Sequence, residues 1–460
     1  MVFLKGKYKL ASSIHLPGTL TRFVFTLLVL SLFLNIRYAI SESFSFILGE
    51  KKDFTIFFFN ISDIFVFLLL ISCFLSTMWF INKVPITWKS ISYYTFLPLL
   101  IVLAAYISFF KNFVNVTIPI ISIYYLLLLT KGIVLHETIK SLKIELHNLF
   151  VSIFLCFLSL ASLLGIYQFA TQHDLGLQTV GESIIGPYIW GVAKIEALGH
   201  VFLRSYGVFP HPNIFGAFLC LGIVAATGHA LEKSANSKTR EYLFVLLLII
   251  LYIFALFLTF SRAAWLGTGL GLTLCALFTW NKRRLVGIQR YYLIFSSIAL
   301  SALVIIFIMF PFIRQRGNVF DKAYHERKSY NSAAMEMVQD NPTFGLGPSE
   351  SLIHMKQYLD NEAKPWEVQP IHNYYLLLAA EIGLPTLILF TLYFGYGFKL
   401  WWNTRRQNNF RTITYGVGFI VCFVLMFFDH YFYTFQASVL LFWIWTALFM
   451  INVAHETTTA

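Results

Sequence analysis

Residues 204–229 read RSYGVFPHPNIFGAFLCLGIVAATGH, a short polar opening followed by an apolar run without Asp, Glu, Lys or Arg. A helix needs roughly 20 such residues to cross a bilayer. Pro212 suits the first helical turn, because proline lacks an N–H that this turn leaves unpaired anyway. The stretch therefore predicts a membrane-spanning helix that begins beside polar groups at one membrane surface.

The whole chain has the same character. Of its 460 residues, 58% are hydrophobic and only 12% are charged, whereas soluble domains carry about 25% charged residues. The mean hydropathy is +0.71. We predict an all-α integral membrane protein, one polytopic domain over residues 1–460 with about twelve transmembrane helices. The predicted spans are 21–40, 58–81, 93–110, 113–131, 149–170, 207–229, 241–260, 263–280, 291–313, 373–398, 412–428 and 435–453.

The first apolar run and the cysteines argue against a secretory signal and against cysteine-based cross-links or metal sites. The run near the N-terminus is too long for the core of a secretory signal, so we assign it to the first span. All five cysteines lie within apolar runs, and none has CxxC spacing. A disulfide framework or a cysteine zinc site is therefore not expected, and we predict no cofactor and no metal.

The net charge of +12 follows the predicted topology. With a cytoplasmic N-terminus, 20 of the 34 basic residues fall on inner segments, Lys131 among them, and seven fall on short outer segments. This asymmetry satisfies the positive-inside rule. It predicts that both termini are cytoplasmic and that the basic excess reflects topology rather than a nucleic-acid partner; the predicted partner of the chain is membrane lipid.

One outer segment, residues 314–372, forms a large predicted extracytoplasmic loop before the tenth helix. Within it, ERKSYNSAAMEMVQ (326–339) has apolar groups at Tyr330, Ala333, Ala334 and Met337, a helical spacing. Pro342 ends this helix, because the residue before a proline avoids the α region. The loop is therefore predicted to be partly helical.

Polar residues collect at the outer ends of three spans. The sixth, eighth and tenth spans all run from outside to inside, so their N-termini face one compartment. Helix N-termini and arginine guanidinium groups both favour anions, phosphates in particular. We therefore predict a diphosphate site at the outer membrane surface. Its candidate residues are Arg204, His211, Asn213, Arg262, Arg327, His372 and Asn373.

His372 is the candidate base of this site. An imidazole with an ordinary pKa near 6.5 is neutral and accepts a proton at physiological pH. Nearby arginines are expected to keep it neutral, because a second positive charge beside them is unfavourable.

The remaining acidic groups receive other roles. Asp63, within a span, is predicted either to pair with an arginine of the site or to hold helices together. Glu381 lies about 13 Å deeper than His372 along a helix, so we predict a structural role for it. Asp429 and His430 are predicted to lie in a surface turn between the last two spans.

Four stretches in order carry a family resemblance. They are GVFPHPN (207–213), Ser261-Arg262 at the start of a span, Arg327 followed by NPTFGLG (341–347), and His372-Asn373 followed by EIGL (381–384). Their order and spacing resemble the O-antigen ligase and Wzy polymerase superfamily of bacterial membrane glycosyltransferases. The resemblance covers about residues 200–390, and the first 150 residues match only in their pattern of spans.

The resemblance implies a metal-independent, inverting glycosyltransferase of the bacterial cytoplasmic membrane, with an extracytoplasmic active site. Its donor would be a glycan on undecaprenyl diphosphate, and its acceptor a glycan or lipid A–core. By motif position, Arg204, Arg262 and Arg327 would hold the donor diphosphate, with Arg262 counted as catalytic. His372 would activate the acceptor hydroxyl, and Asn213 would be a secondary polar contact.

The acceptor stays open at this point. The long loop before His372-Asn373 favours an O-antigen ligase, with a Wzy-type repeat-unit polymerase or a protein O-oligosaccharyltransferase as alternatives. A flippase or transporter of lipid-linked glycans is a more remote alternative, since transporters usually place their polar groups near the bilayer midplane. Here those groups lie at helix ends.

Overall fold

The computed structural model describes residues 16–41, 46–47, 50–51, 56–81, 93–113, 119–142, 146–235, 239–316, 322–359, 368–404 and 409–459. Helices dominate, and the few strands form two-stranded antiparallel pairs. The helices are α1 (Leu16–Ser31), α2 (Ile61–Ile81), α3 (Tyr93–Asn112), α4 (Pro119–Ser141), α5 (His147–Thr171), α6 (Pro212–Ala235), α7 (Thr239–Leu258), α8 (Arg262–Thr279), α9 (Arg283–Val286), α10 (Ile288–Ile308), α11 (Phe310–Arg316), α12 (Lys322–Asp340), α13 (Glu350–Tyr358), α14 (Tyr374–Ile382), α15 (Leu384–Thr404), α16 (Phe410–Leu425), α17 (Tyr431–Thr434) and α18 (Gln436–Thr459). The strands are β1 (Arg37–Ser41), β2 (Phe46–Ile47), β3 (Glu50–Lys51), β4 (Phe57–Asn60), β5 (Lys194–Ala197) and β6 (His200–Leu203).

The predicted all-α membrane class is confirmed. Among the described residues, seven helices are long and apolar enough to cross a membrane: α4, α5, α6, α7, α8 (together with α9), α10 and α18. Shorter apolar helices lie within α1, α2, α3 and α16. Helix covers at least part of each of the twelve predicted stretches, while the number of crossings stays a prediction. In the predicted loop, α12 covers the expected helix and ends at Asp340.

The first predicted span, residues 21–40, is wrong at its C-terminal end. Helix α1 ends at Ser31, and the chain then forms β1, in which Arg37 pairs with Asn60 of β4. Tyr38 and Ile40 are exposed while Arg37 and Ala39 are half-buried, the period-two alternation of a strand. An average hydropathy over the stretch does not register this alternation.

The tenth predicted span, residues 373–398, is divided into α14 and α15 at Gly383. Gly383 has φ 96°, and a Cβ there would overlap the Thr343 carbonyl. Gly345 has φ 63°, and a Cβ there would overlap the backbone of Glu381. Only glycine combines this conformation with so close an approach. The NPTFGLG and EIGL motifs therefore meet backbone to backbone, and we call this contact the glycine joint.

Hydrogen bonds hold the glycine joint together. The N–H groups of Leu346 and Gly347 each donate to carbonyls of α14, at 2.9 Å. The buried carboxylate of Glu381 accepts from the Ser349 N–H at 2.8 Å and from the hydroxyls of Ser351 and Tyr433 at 2.6 and 2.8 Å. These contacts support the structural role predicted for Glu381. The joint fixes α12 and its C-terminal loop against α14.

Replacement of Glu381 by alanine is expected to destabilise the fold. It leaves three donors without their acceptor, and each buried unpaired donor costs about 1–3 kcal/mol, so the free energy of unfolding should fall by about 3 kcal/mol or more. The measurement is the thermal unfolding midpoint of the detergent-purified protein. Glu381→Gln, which retains one acceptor oxygen, should lose less. The exposed Glu336→Ala on α12 serves as the control, and an equal midpoint for all three variants would contradict the role of the joint.

A second polar contact joins α2, α4 and α18. Asp63 pairs with Lys131 and accepts hydrogen bonds from the Asn60 N–H at 2.9 Å and the Gln436 amide at 2.7 Å. The expectation that Asp63 pairs with an arginine is therefore wrong, and the interhelical role is supported. Because α4 continues to Ser141, Lys131 lies in mid-helix and does not belong to the predicted inner segment.

Candidate active site

A cavity of about 620 Å³ lies at the end of the helix bundle where α6 begins. We call this the cavity end. Its walls come from β1 and β4, the first turns of α4, α6, α12 and α18, the segment before α14, and the connection between α16 and α18. The lining residues that the argument uses are Arg37, Arg204, His211, Asn213, Arg327, Tyr330, His372, Asp429 and His430.

Arg204 is a buried cation held from two sides. Only 6% of the residue is exposed. Its Nε donates to the Thr259 carbonyl just beyond the end of α7, at 2.6 Å, and a terminal nitrogen donates to the Asn213 side-chain oxygen at 2.7 Å. A guanidinium has five N–H donors, and these two bonds orient the group in the cavity wall.

Two further arginines line the cavity. Arg327 is half-buried on α12. Arg37 lies on β1, with its guanidinium carbon 4.2 Å from the centre of the Phe58 ring. Together with Arg204 they place three permanent positive charges on one cavity. The predicted third arginine, Arg262, does not line it.

His372 lies in the wall between Tyr330 and His430. Its ring is stacked with that of Tyr330, with centroids 6.1 Å apart, and meets that of His430 edge-on at 5.2 Å. Nδ1 of His372 is buried and has no hydrogen-bond partner among the described residues. One ring nitrogen each of His372 and His430 and an oxygen of Asp429 lie within 4.8 Å of one another.

The prediction that Asp429 and His430 lie in a surface turn is wrong, since they are only 7% and 6% exposed. The connection from α16 to α18 folds inward as the short helix α17, which places both side chains in the cavity wall. Asp429 accepts from the Asn213 amide at 2.9 Å and from the His430 N–H at 2.8 Å. The sequence carried a usable signal: a polar pair between apolar runs, on the same predicted side as the other candidates.

The cavity holds neutral imidazoles beside an anion. Burial lowers the pKa of His211 to about 3 and that of His430 to about 4. Burial also lowers the pKa of His372; Asp429 opposes this shift and Arg327 adds to it. Burial alone would raise the pKa of Asp429, but the positive charges of Arg327 and of the neighbouring histidines in their protonated form hold that pKa well below its usual range. At neutral pH the site therefore combines a carboxylate, arginine cations and an uncharged His372.

Five of the seven predicted site residues line the cavity: Arg204, His211, Asn213, Arg327 and His372. His211 also accepts the Asn213 N–H at 3.1 Å, which satisfies a donor at the start of α6.

The other two predicted residues lie outside the lining. Asn373 caps α14, since its side-chain oxygen accepts from the Tyr375 and Leu376 N–H groups at 3.0 and 3.1 Å. Arg262 is the half-buried first residue of α8. Its predicted catalytic role stays a prediction.

Comparison with known proteins gives one family match. A protein-family model described as O-Antigen ligase matches residues 247–391, which confirms the resemblance predicted from the motifs. The match begins within α7 and includes Arg262, Arg327 and His372. Asn213 and Asp429 lie outside it, although they share the cavity. No curated protein matches the chain significantly.

Proposed function

We propose, with the O-antigen ligase match of residues 247–391 as the premise, a specific reaction for this membrane glycosyltransferase. The chain transfers a glycan from undecaprenyl diphosphate to an acceptor hydroxyl of lipid A–core, at the outer face of the bacterial cytoplasmic membrane. The observation that supports this most strongly is the cavity itself, where arginines and a neutral buried His372 face one space. Diphosphate binding and proton removal require these two kinds of group side by side.

The donor diphosphate binds between Arg204 and Arg327 at the start of α6. Charge-assisted bonds from arginine match phosphate oxygens in pairs, and the N-terminus of α6 adds its positive dipole end. Arg204 is already oriented by the Thr259 carbonyl and Asn213. As the diphosphate leaves, its growing negative charge is stabilised by the same cations. These cations supply the charge that a metal ion supplies in other transferases, so we propose a metal-independent reaction.

His372 removes the proton of the acceptor hydroxyl. The hydroxyl oxygen bonds to the anomeric carbon while the bond from that carbon to the diphosphate oxygen breaks, and the electron pair departs with the diphosphate. A single displacement of this kind inverts the anomeric centre. The imidazolium that forms is stabilised by the ionised Asp429, which is held by Asn213 and the His430 N–H.

The proposal is tested with detergent-purified protein, a synthetic polyprenyl-diphosphate glycan and lipid A–core. We expect a new glycosidic bond to lipid A–core, formed equally well in the presence of a chelator. Growth of the donor glycan itself would instead identify a polymerase. Movement of the labelled donor across vesicles without a new bond would identify a flippase. Loss of transfer on chelation, at a temperature where the chelated protein stays folded, would overturn the metal-independent step.

The decline of the transfer rate at low pH should reflect protonation of His372. Its pKa is lowered from an ordinary value near 6.5, and only the neutral imidazole accepts a proton. The rate should therefore hold as pH falls to about 6.5 and decline only below it. Arg327→Ala removes a cation that lowers this pKa, so its normalised profile should decline at a higher pH. A wild-type midpoint above 6.5, or an unmoved midpoint in the variant, would contradict the assignment.

A further inference from the structure

A second cluster of ligand-type side chains lies at the opposite end of the helix bundle. His147 begins α5, and His229 and Glu232 lie near the end of α6. His229 is sixteen residues from Asn213 along α6, about 24 Å at 1.5 Å per residue. The cluster is therefore separate from the cavity and has no part in the proposed transfer.

The geometry brings three ligand atoms together. One ring nitrogen each of His147 and His229 and a carboxylate oxygen of Glu232 lie within 4.8 Å of one another. His229 and Glu232 are three residues apart, so they share one face of α6, and His147 approaches from α5. Nε2 of His147 lies 3.5 Å from the Glu232 oxygen. A small ion between these atoms needs only a modest contraction to reach bonds of about 2.0–2.2 Å.

Two imidazole nitrogens of the cluster make no hydrogen bond among the described residues. The side chain of His147 is only 7% exposed. Neither its Nε2 nor Nδ1 of His229 makes a hydrogen bond within the described part of the chain, although both atoms are buried. A buried polar atom without a partner is costly. A bound cation would satisfy the lone pairs of both rings.

The surrounding groups orient the ligands. Nδ1 of His147 lies 3.0 Å from the buried Tyr415 hydroxyl, which directs Nε2 towards the cluster when Nδ1 carries the proton. Arg411 binds the other oxygen of Glu232, at 3.0 Å from both Nε and a terminal nitrogen. Ligating histidines and carboxylates usually have such outer partners. The positive charge of Arg411 opposes a cation, so the site depends on the two nitrogen ligands.

We propose that His147, His229 and Glu232 bind one divalent transition-metal ion of the Zn²⁺ class. Two imidazoles and one carboxylate form a ligand set that zinc accepts, with a fourth position left for water. The ion ties α5 to α6 and, through Tyr415 and Arg411, to α16. A Cβ at Gly228 would overlap Thr414, so α6 and α16 are already in close contact beside it. The site is a structural clamp remote from the reacting groups.

The test uses the full-length protein in detergent, with a tag that contains no histidine. The protein is stripped with a chelator and titrated with Co²⁺, which reports nitrogen and oxygen coordination by visible absorption. We expect one equivalent of Co²⁺ per chain and a higher thermal unfolding midpoint with Zn²⁺. His229→Ala should lose both effects while eluting as a folded protein, since its imidazole makes no hydrogen bond within the described residues.

Two variants decide where the ion binds. His372→Ala alters the cluster of His372, Asp429 and His430, which also has suitable ligand spacing, and should leave Co²⁺ binding unchanged. The exposed His200→Ala should also leave it unchanged. Binding that survives in His229→Ala, is lost in His372→Ala, or is absent from the wild-type protein would overturn the proposal. The readout is metal binding, so its result is independent of glycan transfer.

Discussion

Replacement of His372 by alanine is expected to lower the rate of glycan transfer by about 10²–10⁴-fold, the usual contribution of a general base. His372 is neutral because burial lowers its pKa, and it lies in the wall of the cavity beside the ionised Asp429. The change removes the only group that we assign to proton removal. The measurement is the initial rate of transfer to lipid A–core by the purified protein.

The structure suggests how to separate a catalytic loss from a folding loss. His372 makes ring contacts with Tyr330 and His430, so some change in packing is expected. The variant should nevertheless reach the membrane at normal abundance and bind the lipid-diphosphate donor with unchanged affinity. His200→Ala, exposed on β6, should transfer at the wild-type rate. Normal transfer by folded His372→Ala would eliminate the assignment of the base.

Replacement of Arg327 by alanine is expected to lower the catalytic efficiency for the donor by about 10- to 150-fold. This range corresponds to the loss of one charge-assisted bond of about 1.5–3 kcal/mol. The effect should fall on kcat/KM for the donor, because the cation contacts the diphosphate both before and during bond cleavage. Its neighbour Lys328 is exposed on the same helix, so Lys328→Ala provides a matched control with the same change of charge.

Arg262 provides the contrasting case. The motif order predicts that Arg262→Ala abolishes transfer. In the structure, however, the third arginine that lines the cavity is Arg37. Comparing Arg37→Ala with Arg262→Ala decides between the two. A larger loss of catalytic efficiency in Arg37→Ala than in Arg262→Ala would indicate that the donor binds within the cavity. Normal catalytic efficiency in Arg327→Ala would instead contradict the proposed position of the diphosphate between α6 and α12.

The sequence was sufficient for features that depend on local pattern. Apolar runs predict the membrane class, and the helical spacing before Pro342 predicts α12 with its end at Asp340. Polar groups at the starts of apolar runs predict four residues of the cavity, and the long loop adds Arg327. In each case the relevant physics acts over a few consecutive residues, so a pattern along the chain is enough.

The sequence was insufficient where distant segments meet. Arg37 enters the cavity because β1 pairs with β4, a contact that a count of apolar residues does not contain. Asp429 and His430 are buried because α17 folds inward from a connection between two helices. The break at Gly383 depends on Gly345, nearly forty residues earlier in the chain. These features follow from three-dimensional packing rather than local preference.

Asn213 has a consequence beyond its hydrogen bonds. Its oxygen faces Arg204 at 2.7 Å and its nitrogen faces Asp429 at 2.9 Å, so a neutral amide stands between a cation and an anion. Without this separation the guanidinium and the carboxylate could close into a salt bridge and neutralise each other. The amide works as an insulating spacer: it keeps both charges available, so that one wall of the cavity attracts a phosphate while another favours a protonated imidazole.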